Sequence, residues 1–188
     1  KGSLASNDKL DMQKAIREHQ PLLSDIHNDT LYAFPHINVT APLFDNKAEL
    51  IAVVLLTIDL RQSFYPMLQS WHRATGSGEM LLVRRDGDQL LYLSNLRHQP
   101  QATLKLRFPL TRTDLLGVQA LLGKTGLLEG VNYRQRPAVG VPQKVTEMPS
   151  WVVIAGIESD EVFAAGRRQI VLTLSLGMAG IVVLCISA

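Results

Sequence analysis

Along the first twenty residues the apolar pattern is sparse. Met12 and Ile16 stand four apart, the spacing of one helical face, and Asp8 or Asp11 can cap, so this segment reads as partly helical. At His36 the period changes. In His36-Ile37-Asn38-Val39-Thr40-Ala41-Pro42-Leu43 polar and apolar residues alternate, which predicts a strand with Ile37, Val39, Ala41 and Leu43 on one face. Asp45-Asn46-Lys47 signals a turn. Residues 51–58 form an unbroken β-branched and aliphatic run, the pattern of a central strand buried on both faces. Residues 60–71 then read as a helix carrying Phe64, Met67, Leu68 and Trp71 on one side.

Thr75-Gly76-Ser77-Gly78 punctuates the chain, and a second β series follows. Residues 80–83 and 90–93 flank Asp86-Gly87, a strong hairpin signal. Leu104, Leu106, Phe108 and Leu110 alternate as in a strand. Thr113 is placed to cap a helix over 114–122, with Leu115, Val118, Leu121 and Leu122 inward and Gly123 as the stop. Strands return at 126–133, 137–145 and 151–157. Ser159 can cap a last helix whose first turn holds Asp160 and Glu161. Each half ends in an apolar strand followed by a helix, which predicts a duplicated module.

Charge changes the picture at the C-terminus. Every Lys, Arg, Asp and Glu lies at or before Arg168, and residues 170–188 are uncharged. As a helix this segment would be about 28 Å long, close to the hydrocarbon thickness of a bilayer. A transmembrane helix is therefore expected there, with a buried core helix as the alternative. Arg167 and Arg168 then lie on the outer side, against the positive-inside tendency. A composition 46% hydrophobic and 19% charged, with net charge +2, excludes a disordered chain and gives no electrostatic case for nucleic acid. The single cysteine, Cys185, falls in the apolar segment, so the rest of the chain forms no intrachain disulfide. The chain begins at Lys1 without a leader-like segment and is expected to be part of a longer protein.

No enzyme constellation is visible. The histidines at 19, 27, 36, 72 and 98 make no His-Glu-x-x-His helix, and no Gly-x-Ser-x-Gly elbow occurs. Gly123-Lys124-Thr125 resembles the end of a phosphate loop, but Val118 stands where its first glycine belongs, and the segment follows a helix.

Several stretches resemble a known family. Phe64-Tyr65-Pro66-Met67-Leu68-Gln69-Ser70-Trp71, Gly78 through Asp88, and Leu91-Tyr92-Leu93-Ser94-Asn95-Leu96-Arg97-His98 are similar to the membrane-proximal half of double Cache sensor regions. So are Gly130 through Val139 and the closing run Pro149-Ser150-Trp151-Val152-Val153-Ile154-Ala155. Asn132 stands where the family often has Asp. Gln135 stands where it has Gly, and takes φ > 0 less freely. The resemblance implies an α+β fold: two PAS-like modules in tandem, each an antiparallel sheet flanked by helices. The distal module is truncated, with residues 1–6 as its second strand. The implied division is a distal module over 1–58, a connecting helix over 59–74, a proximal module over 75–158, a signalling helix over 159–169 and a transmembrane helix over 170–188. It further implies a homodimeric, periplasm-facing sensor of a receptor in a bacterial inner membrane, with a histidine kinase or GGDEF-type diguanylate cyclase as output. The chain itself would be non-catalytic. The rival is a membrane-anchored periplasmic binding or adhesion module without output; a tethered hydrolase lacks any nucleophile and base signature.

Two groups of residues are candidates for ligand binding. Asp25, His27 and Asp29 alternate, and in an extended segment would share a face as a polar wall for an amine, an amino acid or a cation. In ligand-binding Cache modules a tyrosine and an aspartate occupy a similar segment, where His27 and Asp29 would stand. The alternative is a solvated loop before a strand. Three ligands of mixed type could hold a metal, but no fourth appears at recognisable spacing, so no metal is expected, and no cofactor is expected either. Tyr133 offers a hydroxyl and Arg134 a planar fork suited to a carboxylate, the alternative being a strand-edge pair with Arg134 in water.

Overall fold

The computed structural model describes residues 6–29, 31–70 and 75–164. These divide into two compact units, one drawn from the described residues up to 70 and from 92–106, the other from 75–91 and 107–164.

In the first unit, helix α1 (Ser6–Glu18) carries Asp8 in its first turn and Arg17 in its last, both favourable to the helix dipole. Ser6 thus belongs to a helix; the rest of the expected N-terminal strand, 1–5, lies outside the described residues. Strands β1 (Leu22–Leu23), β2 (His36–Phe44) and β3 (Leu50–Asp59) form an antiparallel sheet in the order β1-β2-β3. The alternation in β2 is as expected, but its polar side faces inward. His36, Asn38 and Thr40 are at most 2% exposed, whereas Leu43 is 48% exposed. The reason is α1, which lies against β2. Asn38 Nδ2 donates to Asp8 Oδ1 at 2.7 Å, and its backbone N–H donates to Ser24 Oγ at 2.8 Å, so these polar groups are buried with partners.

The run over 51–58 is a strand, but not a central one. Among the described residues β3 is the edge of its sheet, with Ile51 68% and Leu56 56% exposed. An apolar, β-branched run establishes strand propensity; it does not establish how many neighbours the strand will have. The expected helix over 60–71 is shorter, α2 (Phe64–Ser70), and buries Tyr65 and Leu68 while Met67 faces out. Trp71 lies outside the described residues. The Tyr65 hydroxyl donates to Leu93 O at 2.8 Å, which ties the segment 92–106 into this unit. Ile26, Leu60, Leu93 and Leu96 complete the core, each contributing about 1.5–3 kcal/mol by burial.

The second unit is a six-stranded sheet built from β4 (Glu79–Asp86), β5 (Gln89–Tyr92), β6 (Arg107–Pro109), β7 (Leu128–Val131), β8 (Pro137–Lys144) and β9 (Trp151–Glu158). Their order is β6-β5-β4-β9-β8-β7. The expected hairpin joins β4 to β5, with Gly87 at φ 63° in the turn. β4 and β9 pair at the centre, Leu81 opposite Ile154 and Val83 opposite Val152. Helix α3 (Leu116–Leu121) lies on this sheet and buries Leu116, Val118 and Ala120. Its N-cap is Leu115 rather than Thr113, and Leu122 points to solvent. The strand expected from Leu104 begins only at Arg107. Pro100–Ala102 form a 3-10 turn and Leu104 takes φ 59°, outside the β region.

β9 passes directly into a helical segment over 159–164. Beyond it, the expected continuation to residue 169 and the transmembrane helix over 170–188 lie outside the described residues. Among the described residues, no helix is long and apolar enough to cross a membrane.

Candidate functional site

The main cluster lies in the first unit and is organised by a pairing distant in sequence. His27 and His36 exchange both backbone hydrogen bonds, each 3.1 Å, in an isolated antiparallel bridge. Directly opposed residues project to the same side, and the two imidazole centroids are 4.3 Å apart. His27 Nδ1 is 2.9 Å from Asp25 O, and His36 Nδ1 is 2.9 Å from Phe34 O. A carbonyl can only accept, so each Nδ1 carries a proton, and a ring in its neutral form presents Nε2 as a lone pair.

Asp29 joins this pair. Its Oδ1 accepts from the amides of Leu31 at 2.7 Å and Tyr32 at 2.6 Å, an Asx-type turn that fixes the carboxylate. Its Oδ2 faces His36 Nε2 at 3.5 Å. From α1, Asp8 Oδ1 stands 3.6 Å from His27 Nε2. Nε2 of His27, Nε2 of His36 and Oδ2 of Asp29 are buried without a hydrogen-bond partner among the described residues. Ligand atoms of these three residues lie within 4.8 Å of one another. Tyr32 and Phe34 close round His36, their rings steeply inclined to it, at 5.3 and 5.8 Å between centroids. The surroundings are electronegative. Burial raises the pKa of Asp11 on α1, the charges of Asp8 and Asp25 push the same way, and His27 and Lys14 oppose them.

The structure therefore brings His27 and Asp29 together as lining groups. Asp25 acts differently: its Oδ1 accepts the Ile26 amide at 2.7 Å, and its backbone carbonyl orients His27. Sequence reasoning missed His36 and Asp8. His36 opens an alternating strand and reads as one more polar position. Only the bridge to His27 and the docking of α1 bring these two residues to the cluster.

Tyr133 and Arg134 lie in the second unit, in the turn between β7 and β8. Tyr133 is 6% exposed. Arg134 Nη1 is 3.4 Å from Glu158 Oε1, which also accepts from Asn132 Nδ2 at 3.1 Å. Asn132 Oδ1 in turn accepts the amides of Arg134 and Arg136, at 2.9 and 3.1 Å. The fork of Arg134 is thus turned to an internal carboxylate. Beside it, Ser77, Glu79, Leu116, Asn132 and Glu158 line a cavity of about 10 Å³. That is room for about one water molecule.

No protein-family profile and no curated protein matches this chain. Among solved structures its fold is that of chemoreceptor ligand-binding domains and a sensor kinase's extracellular domain, in keeping with the Cache resemblance. The ligand-binding domain of the amino acid chemoreceptor PctB of Pseudomonas aeruginosa PAO1, in complex with L-Gln, matches with a TM-score of 0.59 at 15% identity. That match covers 94% of this chain and 67% of the other. The ligand-binding domain of Mlp24 with asparagine gives 0.57 at 14% identity, over 88% of this chain and 62% of the other. The extracellular domain assigned to the histidine kinase mmHK1S-Z2 gives 0.56 at 15% identity, over 84% and 58%. This chain thus spans roughly three fifths to two thirds of these domains. At such identities the likeness establishes the fold.

Proposed function

We propose that this chain is the sensor region of a transmembrane signalling receptor, facing the periplasm, and that it binds a small molecule and relays its presence to a cytoplasmic output domain. The observation that carries the reading is the fold, shared with receptor domains whose names record bound amino acids or an extracellular kinase setting. The way β9 runs without a loop into the helix over 159–164 supports a mechanical exit toward the membrane.

In this reading the chain carries tandem modules over 1–58 and 75–158, and the uncharged segment 170–188 is the membrane helix of a homodimer. His27 and Asp29, with Asp25 behind them, form the ligand site of the distal unit. Tyr133 and Arg134 form a second candidate, for a carboxylate, in the proximal unit, where the ligand would have to displace Glu158 from Arg134. For relay to occur, the ligand must bind the two signalling states with different affinity. The output is a histidine kinase or a diguanylate cyclase, and no reaction is catalysed by this chain.

The test is a chimera in which this chain, with its apolar segment, replaces the sensor and membrane region of a histidine kinase of known output. Ligands found by thermal-shift screening of the chain should change autophosphorylation, and Asp29→Ala should remove both the shift and the response. A ligand that binds tightly yet leaves the kinase output unchanged overturns the relay reading.

A further inference from the structure

Donor atoms of three residues converge in the first unit. A bare imidazole Nε2 and a carboxylate oxygen each seek a proton or a cation, and neither can hydrogen-bond to another bare acceptor. Here Nε2 of His27, Nε2 of His36 and Oδ2 of Asp29 are buried and have no hydrogen-bond partner among the described residues, and ligand atoms of the three residues lie within 4.8 Å of one another. His36 is fully buried. Leaving three such groups uncompensated is costly, so the arrangement calls for a positive charge at its centre.

We infer that His27, His36 and Asp29 form a binding site for a divalent transition-metal ion, with zinc as its representative. The inference rests on reading this cluster as a ligand site, and narrows what it takes; it does not depend on signal relay. Donor type comes first. Two imidazoles and one carboxylate suit zinc and its neighbours, whereas calcium and magnesium prefer oxygen donors alone. Orientation comes second. Metal-bound histidines characteristically donate their other ring N–H to a carbonyl or carboxylate, which fixes the tautomer and the ring plane. Both imidazoles already do so, at 2.9 Å, to Asp25 O and Phe34 O. Asp29 is likewise pinned through Oδ1 by two backbone amides, leaving Oδ2 for the ion.

Spacing comes third. Donors about 2.0–2.1 Å from a tetrahedral ion stand about 3.3 Å from one another. His36 Nε2 and Asp29 Oδ2 are already at 3.5 Å. Asp8 Oδ1, 3.6 Å from His27 Nε2, adds negative charge beside the site. Among the described residues no Lys or Arg forms an ion pair with Asp8 or Asp29. Three protein ligands leave a fourth position for water or for a nitrogen or oxygen of a further molecule, as in exchangeable zinc sites.

The experiment uses the full chain in detergent micelles, stripped with chelator and titrated with zinc chloride or cobalt chloride. One equivalent per chain should bind. Zinc should raise the thermal midpoint, and cobalt should show the visible absorption of a low-coordinate nitrogen and oxygen site, which zinc then displaces. His36→Gln and Asp29→Asn should each weaken zinc binding by more than about 10-fold. Asp29→Asn retains the side-chain oxygen that accepts the turn amides, so it tests the site without dismantling the loop. His19→Ala, which removes an exposed imidazole, should leave binding unchanged. Three results would overturn the inference: zinc binding equal in wild type and Asp29→Asn, calcium binding with none for zinc, or a pH-dependent midpoint that no metal alters, the sign that the cluster takes a proton instead. If zinc binds as described while the chimeric kinase stays silent, the metal site stands and the sensor reading fails. If an amino acid binds and signals but zinc does not bind, the sensor reading stands and the metal site fails.

Discussion

Glu161 holds Ser77 by two hydrogen bonds: its Oε2 accepts from the Ser77 amide at 2.6 Å and from the Ser77 hydroxyl. Its Oε1 accepts the amide of Gly76 at 2.7 Å. The Ser77 hydroxyl also accepts from the Glu158 amide, at 3.1 Å. The turn before β4 is thereby fastened to the helical segment that leaves β9. Ser77→Ala removes two of these bonds and should cost about 1–3 kcal/mol, since one of them goes to a charged group. Glu161→Gln leaves one oxygen to accept but sets an NH2, a donor, against a backbone amide and removes the charge, so it should cost at least as much. Urea denaturation of both variants measures the difference; equal stability of Ser77→Ala and wild type would remove this link from the exit path.

Gln135 adopts φ 63° in the turn between β7 and β8. A left-handed conformation costs an ordinary residue about 1–2 kcal/mol. The turn persists because Asn132 Oδ1 binds two of its amides and Arg112 donates to Gln135 Oε1. Gln135→Gly relieves the strain but adds unfolded-state entropy, so a net gain of about 0.5 kcal/mol is expected. The check is a rise in thermal midpoint; a fall would mean that the Arg112 contact outweighs the strain.

Asp59 ends β3 with its carboxylate gripped by Arg61, whose Nη2 donates to Oδ2 at 2.8 Å. The guanidinium also lies 4.4 Å above the Phe34 ring. The hydrogen bonds from the Arg61 side chain, aided by its backbone amide and its charge, lower the Asp59 pKa from 3.8 to about 2. A carboxyl depressed by folding stabilises the native state fully above its unfolded value, and that contribution disappears as pH falls through about 2. Arg61→Gln should therefore flatten stability between about pH 4 and pH 2, by a modest amount because Arg61 is over half exposed. Denaturation midpoints measured across that range decide it.

Leu56 and Ile26 look equally suited to a core by residue type, but they are 56% and 1% exposed. Leu56→Ala should cost under about 1 kcal/mol, while Ile26→Ala should cost about 2–5 kcal/mol. Similar losses by urea denaturation would mean that the apolar side of β3 is covered in solution.

The sequence by itself determined what neighbouring residues decide. Asp86-Gly87 between two apolar runs dictated the β4–β5 hairpin, because a tight turn and its flanking strands are one local unit. The apolar run over 151–157 dictated β9, and the alternation from His36 dictated which residues of β2 share a face. Period alone could not say which of those faces turns inward. Tertiary structure decided that, because α1 brings Asp8 to Asn38 and makes the polar side the buried one. It also decided that β3 is an edge, since strand propensity does not count partners. The cluster followed the same division. His27 and Asp29 were legible as an alternating polar pair, but His36 and Asp8 reached them only through a backbone bridge and a docked helix. Such contacts are set by packing between distant segments, and no local spacing records them.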